Sequence, residues 1–255
     1  MPELQHGGVT LAYTDVAASV PATGVPVLLI HGFASSFTVN WVNTGWVRAL
    51  AHAGRRVIAF DNRGHGASTK FYDPADYATP LMAGDGLALL DSLGIAQADV
   101  MGYSMGARIA AFLALDHPDR VRRLILGGLG HHLVDGVGLP VAIAEALEAP
   151  SAEGLTDPMQ RMFRRFAEQT RSDLKALAAW IRGSRQTLTQ AEATRIRQKT
   201  LIAIGTKDDV AGDPHRLAAL FPDARAFEIE GRDHNLAVGD KTYKAAVLAF
   251  LEEGR

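Results

Sequence analysis

The chain has 255 residues, 47% of them hydrophobic, enough for one large α/β domain with an insertion or for two small domains. A formal net charge of −2 gives no global pull toward nucleic acid or an anionic membrane. Cysteine is absent, which excludes a disulfide scaffold, a thiolate nucleophile and a cysteine zinc site. The opening residues, Met1 to His6, have no basic stretch leading into an apolar one, and no run of about 18 apolar residues occurs. Neither a signal peptide nor a membrane span is expected, and a cytoplasmic protein is the default.

Val9 to Thr14 reads as a strand behind the Gly7-Gly8 turn, hairpinned to the opening residues. Pro21 to Gly24 is a loop. Val25 to Ile30 is a continuous apolar run, as expected of a strand buried on both faces, with its proline near the start where strands tolerate one. Trp41 to Ala53 predicts a helix ended by Gly54, and Arg56 to Phe60 the next strand. Leu81 to Leu93 predicts a helix that stops at Gly94. Val100 to Gly102 is a strand, Ser104 to Asp116 a helix broken by His117-Pro118-Asp119, and Leu124 to Leu126 another buried strand.

From about Gly130 to Ala193 no strand pattern appears. Met159, Met162, Phe163 and Phe166 recur at helical spacing, and then Leu174, Leu177, Ala178 and Ile181. Alternation resumes with the strand Leu201 to Ile204, a helix near Pro214 to Phe221, the strand Ala224 to Ile229 and a closing helix over Lys241 to Leu251. Strands alternating with helices imply an α/β fold with a mostly parallel central sheet flanked by helices. The expected organisation is a core of residues 1–129 and 194–255 with a helical cap at 130–193.

The most informative segment is Gly102-Tyr103-Ser104-Met105-Gly106. A strand turning sharply into a helix brings two backbones together, and glycines two residues either side of the serine make room where a Cβ would collide. The turn forces Ser104 into a strained conformation and lifts its hydroxyl clear of the sheet edge. A lone serine hydroxyl is a poor nucleophile, so the geometry has use only beside a base. Three further strand ends carry suitable residues: Ile30 runs into His31-Gly32-Phe33, Ile204 into Gly205-Thr206-Lys207-Asp208-Asp209, and Ile229 precedes Glu230 to Asn235 with His234 among them.

In this order these residues resemble the α/β-hydrolase family, over nearly the whole chain, and more loosely its cap-bearing bacterial serine esterase-like members. The carriers are His31-Gly32, Asp61-Asn62-Arg63-Gly64-His65-Gly66-Ala67-Ser68, the Gly102-to-Gly106 turn, Gly205-x-x-Asp208 and His234. The resemblance implies Ser104 as nucleophile, His234 as general base and Asp208 as the acid that orients it, with the backbone N–H groups of Phe33 and Met105 receiving the oxyanion. Asp209 adjoins Asp208 and either could reach the histidine; the family spacing after Gly205 favours Asp208. Haloalkane dehalogenases and epoxide hydrolases of this fold resemble the chain but place an aspartate where Ser104 stands.

The expected function is hydrolysis of a small carboxylic ester through an acyl-enzyme. Acyl transfer, perhydrolysis and carbon–carbon bond hydrolysis use the same triad, and a ligand-binding signalling protein on this fold is a rival from another class. Leu129, Met162, Phe163, Phe166 and Val210 are expected to line the substrate pocket. His31 is expected to brace the oxyanion loop, and Asp61 and Arg63 to pair within their own loop; His131 and His132 could line the pocket mouth but read first as exposed loop residues. The basic residues of the insertion, Arg161, Arg164, Arg165, Arg171, Lys175, Arg182 and Arg185, read as a solvated outer face. No metal-ligand spacing and no phosphate-binding glycine loop occurs, so no metal, cofactor, nucleic acid or membrane partner is expected beside a small-molecule ester.

Overall fold

The computed structural model describes residues 1–136 and 138–253. Val137, within the expected cap, and Gly254 and Arg255, within the expected core, lie outside the described residues. In chain order the elements are β1 (Glu3–His6), β2 (Val9–Val16), β3 (Val27–Ile30), α1 (Trp46–His52), β4 (Val57–Phe60), α2 (Thr79–Ser92), β5 (Ala98–Tyr103), α3 (Met105–Asp116) and β6 (Val121–Gly127). Then follow α4 (Val141–Glu148), α5 (Pro158–Gln169), α6 (Leu174–Gly183), α7 (Gln190–Ala193), β7 (Lys199–Gly205), α8 (Pro214–Ala218), β8 (Ala224–Ile229), α9 (His234–Ala237) and α10 (Lys241–Glu252).

The strands form one sheet in the order β1-β2-β4-β3-β5-β6-β7-β8. Pairing is antiparallel from β1 through β2 to β4 and parallel from there on. Successive side chains of a strand point to opposite faces, and the two cores follow that rule. Leu28, Ile30, Val100, Leu124 and Ile202 pack on one face with α2 and α3. Val27, Leu29, Met101, Ile125 and Leu201 pack on the other with Trp46 and Leu50 of α1 and Tyr243, Val247 and Phe250 of α10. This two-faced burial explains why the central strands read as continuous apolar runs.

One expected helix is divided. Thr38–Val42 forms a π-helical turn, and Gly45 adopts a left-handed conformation (φ +82°), so α1 begins only at Trp46 instead of Trp41. Between β6 and β7 the described residues form helices and no strand, and α4 and α7 lie there without having been anticipated individually. The helices pack together through α4 against both α5 and α6.

Parallel pairing brings the carboxyl ends of β3, β5, β6, β7 and β8 to one edge of the sheet. At the β5 end the turn is steric in origin. A Cβ on Gly102 would lie 2.1 Å from the carbonyl oxygen of Gly106, and one on Gly106 would lie 2.0 Å from that of Ile30. Both obstacles are backbone and cannot swing aside. Gly106→Ala is therefore expected to cost about 3 kcal/mol or more, read as a lower denaturant midpoint; a wild-type midpoint would show that β3 and α3 are not in contact as described.

Candidate active site

Ser104 is the residue between β5 and α3, with φ +54° and ψ −113°. For a residue with a Cβ this is a sparsely populated conformation that costs on the order of 1–3 kcal/mol. It is held by the Ser104 N–H donating to the Gly127 carbonyl (2.7 Å) and by the Ser104 carbonyl accepting from Ala107 N–H (3.0 Å) and Arg108 N–H (3.2 Å).

His234 opens α9, where the Asp233 carboxylate caps the helix by accepting from the N–H groups of Asn235 and Leu236. Its ring links two other loops. The Ser104 hydroxyl lies 3.0 Å from Nε2, and Nδ1–H donates to Asp208 Oδ2 at 2.7 Å. Asp208 is well fixed: its side chain is fully buried, and Oδ1 accepts from Val210 N–H (2.9 Å) and Ala211 N–H (3.0 Å). Of the two adjacent acids, Asp208 bonds to the ring and Asp209 is exposed on a cavity wall. Gly205 allows the approach, because a Cβ there would lie 2.1 Å from the Arg232 carbonyl oxygen. Tyr103, which the sequence did not single out, donates its hydroxyl to the His234 carbonyl at 2.6 Å and packs its ring 5.5 Å from the imidazole.

The loop after β3 is pinned from several sides. His31 Nδ1–H donates to the Gly32 carbonyl (2.8 Å), and its Nε2 accepts from Asn62 N–H (3.0 Å), so the ring braces the loop as expected. Asn40 Oδ1 accepts from Gly32 N–H at 2.8 Å. Thr170, at the end of α5, donates to the Ala34 carbonyl at 2.9 Å, tying the helical segment to the same loop. Phe33 packs against Trp180 (4.9 Å), Phe163 (6.0 Å) and His65 (5.9 Å). Met105 is the first residue of α3, where a helix leaves its N–H groups without intrahelical acceptors.

Two cavities meet at Ser104. One, of about 180 Å³, is walled by Phe33, Met105, Arg108, Leu129, Met159, Trp180 and Val210, with His132 and Asp209 on it. The other, of about 390 Å³, is walled by Asn40, Tyr103, Phe163, Phe166, His234 and Val238 among others. Both share Phe33, Ser104 and Leu139.

Four of the five expected pocket residues thus lie on these walls, and Met162 does not. It is 41% exposed, because the inward edge of α5 runs through Met159, Phe163 and Phe166 and leaves Met162 to one side.

Three further expectations are corrected. Arg63 does not pair with Asp61; its guanidinium forms a two-pronged pair with Asp85 of α2, at 2.7 Å on each prong. Asp61 instead accepts from the N–H groups of Phe37 and Ala67. His131 is buried and bonded to Asp135 (2.9 Å), and His132 is on the cavity wall with its Nδ1–H held by the Val210 carbonyl (2.9 Å). The basic face of the insertion is only partly solvated. Arg164 is buried, donating to the carbonyls of Ala146, Leu147 and Ala149 at the end of α4, and Arg182 pairs with Glu148. Among the described residues no three His, Cys, Asp or Glu side chains gather closely enough to hold a metal ion.

Residues 25–142 match the family described as the alpha/beta hydrolase fold. A hydrolase from Pseudomonas aeruginosa, 27% identical, superposes with a TM-score of 0.80 over 98% of each chain. The chain has the α/β-hydrolase fold. Among similar proteins, the 2-hydroxymuconate semialdehyde hydrolase of Pseudomonas putida is 33% identical over 204 residues, 79% of this chain and 60% of that protein. Epoxide hydrolase B of Mycobacterium tuberculosis is 42% identical over 106 residues, 41% of this chain and 29% of that protein. The chain therefore spans less than two thirds of the length of these two curated proteins.

Beneath the site of this α/β-hydrolase-fold chain, two buried histidines carry a pH dependence. Burial pushes His31 down to about 4, against the pull of its bond to the Gly32 carbonyl. Burial, and then repulsion from His31, pushes His65 down to about 3. Unfolded, both titrate near 6.5, so the unfolded chain binds more protons below that pH. Their stabilisation is full above it and lost as pH falls toward 4 and then 3. Unfolding free energy is expected to drop by about 2 kcal/mol per histidine between about pH 7 and about pH 5. Denaturant titrations at the two pH values check this; equal stability would contradict the burial of both rings as neutral groups.

Proposed function

We propose that the chain is a serine hydrolase that cleaves small carboxylic esters through an acyl-enzyme. One observation carries the reading: the hydroxyl of Ser104 sits 3.0 Å from an imidazole whose other nitrogen is 2.7 Å from a buried carboxylate. As Ser104 Oγ attacks the ester carbonyl, His234 Nε2 takes its proton, and Asp208 holds the ring in the required tautomer and stabilises the imidazolium. The carbonyl oxygen becomes an oxyanion met by the N–H groups of Phe33 and Met105, each contributing roughly 3 kcal/mol to lowering the barrier. Collapse breaks the bond to the alcohol, which leaves with the proton from His234. Water then repeats the sequence on the acyl-enzyme and frees the acid.

The two cavities support a division of the substrate. His234 lines the larger one and delivers the leaving-group proton, so the alcohol belongs there. The smaller cavity holds the acyl group. At about 180 Å³ it falls below the ~300–1,000 Å³ usual for larger ligands, which favours a short acyl chain. In this reading the helical segment from α4 to α7 is the cap: Phe163 and Trp180 close over Phe33, and Met159 and Leu139 wall the cavities. Attack of a serine hydroxyl on an epoxide would leave an ether that water does not cleave, so the partial likeness to an epoxide hydrolase is assigned to the shared fold.

A second reading, carbon–carbon bond hydrolysis of a vinylogous diketone, is favoured by the match to the 2-hydroxymuconate semialdehyde hydrolase. Comparing turnover of an aryl acetate with that of a dienoic ring-cleavage product separates the two.

An activity-based phosphonate is expected to add covalently to Ser104 alone, seen by peptide mass spectrometry, and Ser104→Ala to abolish the adduct. Labelling elsewhere, or none in the wild type, would refute the assignment. Asp208→Asn is expected to lower ester turnover by about 10³–10⁴-fold and Asp209→Asn by less than about tenfold; comparable losses would show that Asp208 does not orient the histidine.

A further inference from the structure

Five arginines are buried among the described residues: Arg55, Arg63, Arg108, Arg164, and Arg123, which donates to the Glu253 carbonyl at the far end of β6 from Ser104. Arg55 faces Asp99, Arg63 faces Asp85 and Arg164 faces Glu168. Arg108 is equally buried, at 6% exposure, yet among the described residues no carboxylate lies within ion-pair distance of it. Its recorded partners are two main-chain carbonyls, those of Gln186 (2.9 Å from Nη1) and His132 (3.0 Å from Nη2). These use two of the five N–H donors a guanidinium carries. The nearby charge is of the same sign: Arg185 adds its repulsion to burial in bringing Arg108 down to about 10, so it remains a cation at neutral pH. A buried charge without a counter-charge is costly unless something completes it.

What Arg108 faces is the smaller cavity at Ser104. It lies four residues beyond Ser104, in the first turn of α3, and both residues line this cavity. The remaining wall is mostly apolar, with Phe33, Leu129, Met159, Trp180 and Val210. Asp209 borders the cavity but is exposed. An apolar sleeve that holds both a reactive hydroxyl and an arginine without a paired carboxylate matches a particular ligand chemistry.

We infer that Arg108 binds a carboxylate at the far end of the acyl group, so that the substrate class is half-esters of short dicarboxylic acids. The inference rests on the ester reading for the reaction, and on the cavity and the counter-charges for the anion. Ser104 and Arg108 line one cavity of about 180 Å³, which limits the acyl group to a short dicarboxylic chain such as succinyl to adipyl. A guanidinium suits the task because its planar fork takes both oxygens of a carboxylate at once.

Arg108 also joins the two ends of the helical segment, at His132 and Gln186, to α3. A purely structural role would therefore also make its replacement harmful, and the test is built to separate the two. Binding of adipamate and of hexanamide, which differ in carrying a far-end carboxylate or a methyl group, is measured on the wild-type protein by calorimetry, without turnover. Adipamate is expected to bind at least about tenfold more tightly; equal or weaker binding overturns the inference.

The ratio of kcat/KM for monoethyl adipate to that for ethyl hexanoate is then measured by acid release in the wild type and in Arg108→Gln. The ratio is expected to fall by about tenfold or more, whereas a structural loss lowers both values and leaves the ratio unchanged, which would overturn it. If Arg108→Gln does not fold, the wild-type binding comparison decides alone. A protein that binds adipamate in preference to hexanamide but turns over no ester keeps the anion site and loses the ester reading.

Discussion

The carbonyl of Ile30 at the end of β3 rests against Gly106 in the first turn of α3, and the rest of the site is arranged around that contact. It forces the chain to leave β5 through a single strained residue, Ser104, at φ +54°. It also sets the loop that follows β3 beside the first amide groups of α3. The Ser104 hydroxyl and the first amide groups of α3 are thus brought beside the β3 loop by backbone packing, before any side chain of the site makes a bond. The strain is sustained because both flanks are over-determined, by the β3–β5 pairing on one side and the Ser104–Gly127 hydrogen bond on the other.

Around this interlock the polar groups serve rigidity. His31 is held as a neutral ring between the Gly32 carbonyl and the Asn62 amide, and Asn40 fixes the Gly32 amide from the opposite side. Asp208 has its carboxylate committed to two backbone amides and one imidazole. Tyr103, adjacent to Ser104, donates its hydroxyl to the carbonyl of His234, so the residue before Ser104 also helps to hold the loop that carries the imidazole. Groups fixed in this way need little rearrangement as charge develops, which is the condition under which hydrogen bonds and dipoles lower a barrier most.

The legible part of this molecule was the part governed by sterics and period. Gly102 and Gly106 announced the turn because no other residue fits, and the apolar runs at Val27–Ile30 and Leu201–Ile204 announced strands buried on both faces. His234 and Asp208 came from the resemblance to the α/β-hydrolase family, through its chain order and its spacing after Gly205. What stayed hidden depended on tertiary rotation and on distant partners. The period of α5 gave its apolar stripe, but the packing of Phe163 on Phe33 decides that Met159 and not Met162 faces the cavity. Arg63 found its carboxylate on α2, a partner that spacing does not reveal. That Arg108 lines the cavity at Ser104, and that among the described residues no carboxylate pairs with it, is visible only in three dimensions.

The central claim is that the Phe33 and Met105 amides, the Ser104 hydroxyl and the His234–Asp208 pair form one reaction centre. The most direct measurement is a crystal structure of the phosphonate-inhibited protein. The account requires phosphorus bonded to Ser104 Oγ, one phosphoryl oxygen within hydrogen-bond distance of both amides, and the His234 ring still bonded to Asp208. A phosphoryl oxygen turned away from both amides, or an imidazole that has left the Asp208 carboxylate, would contradict it.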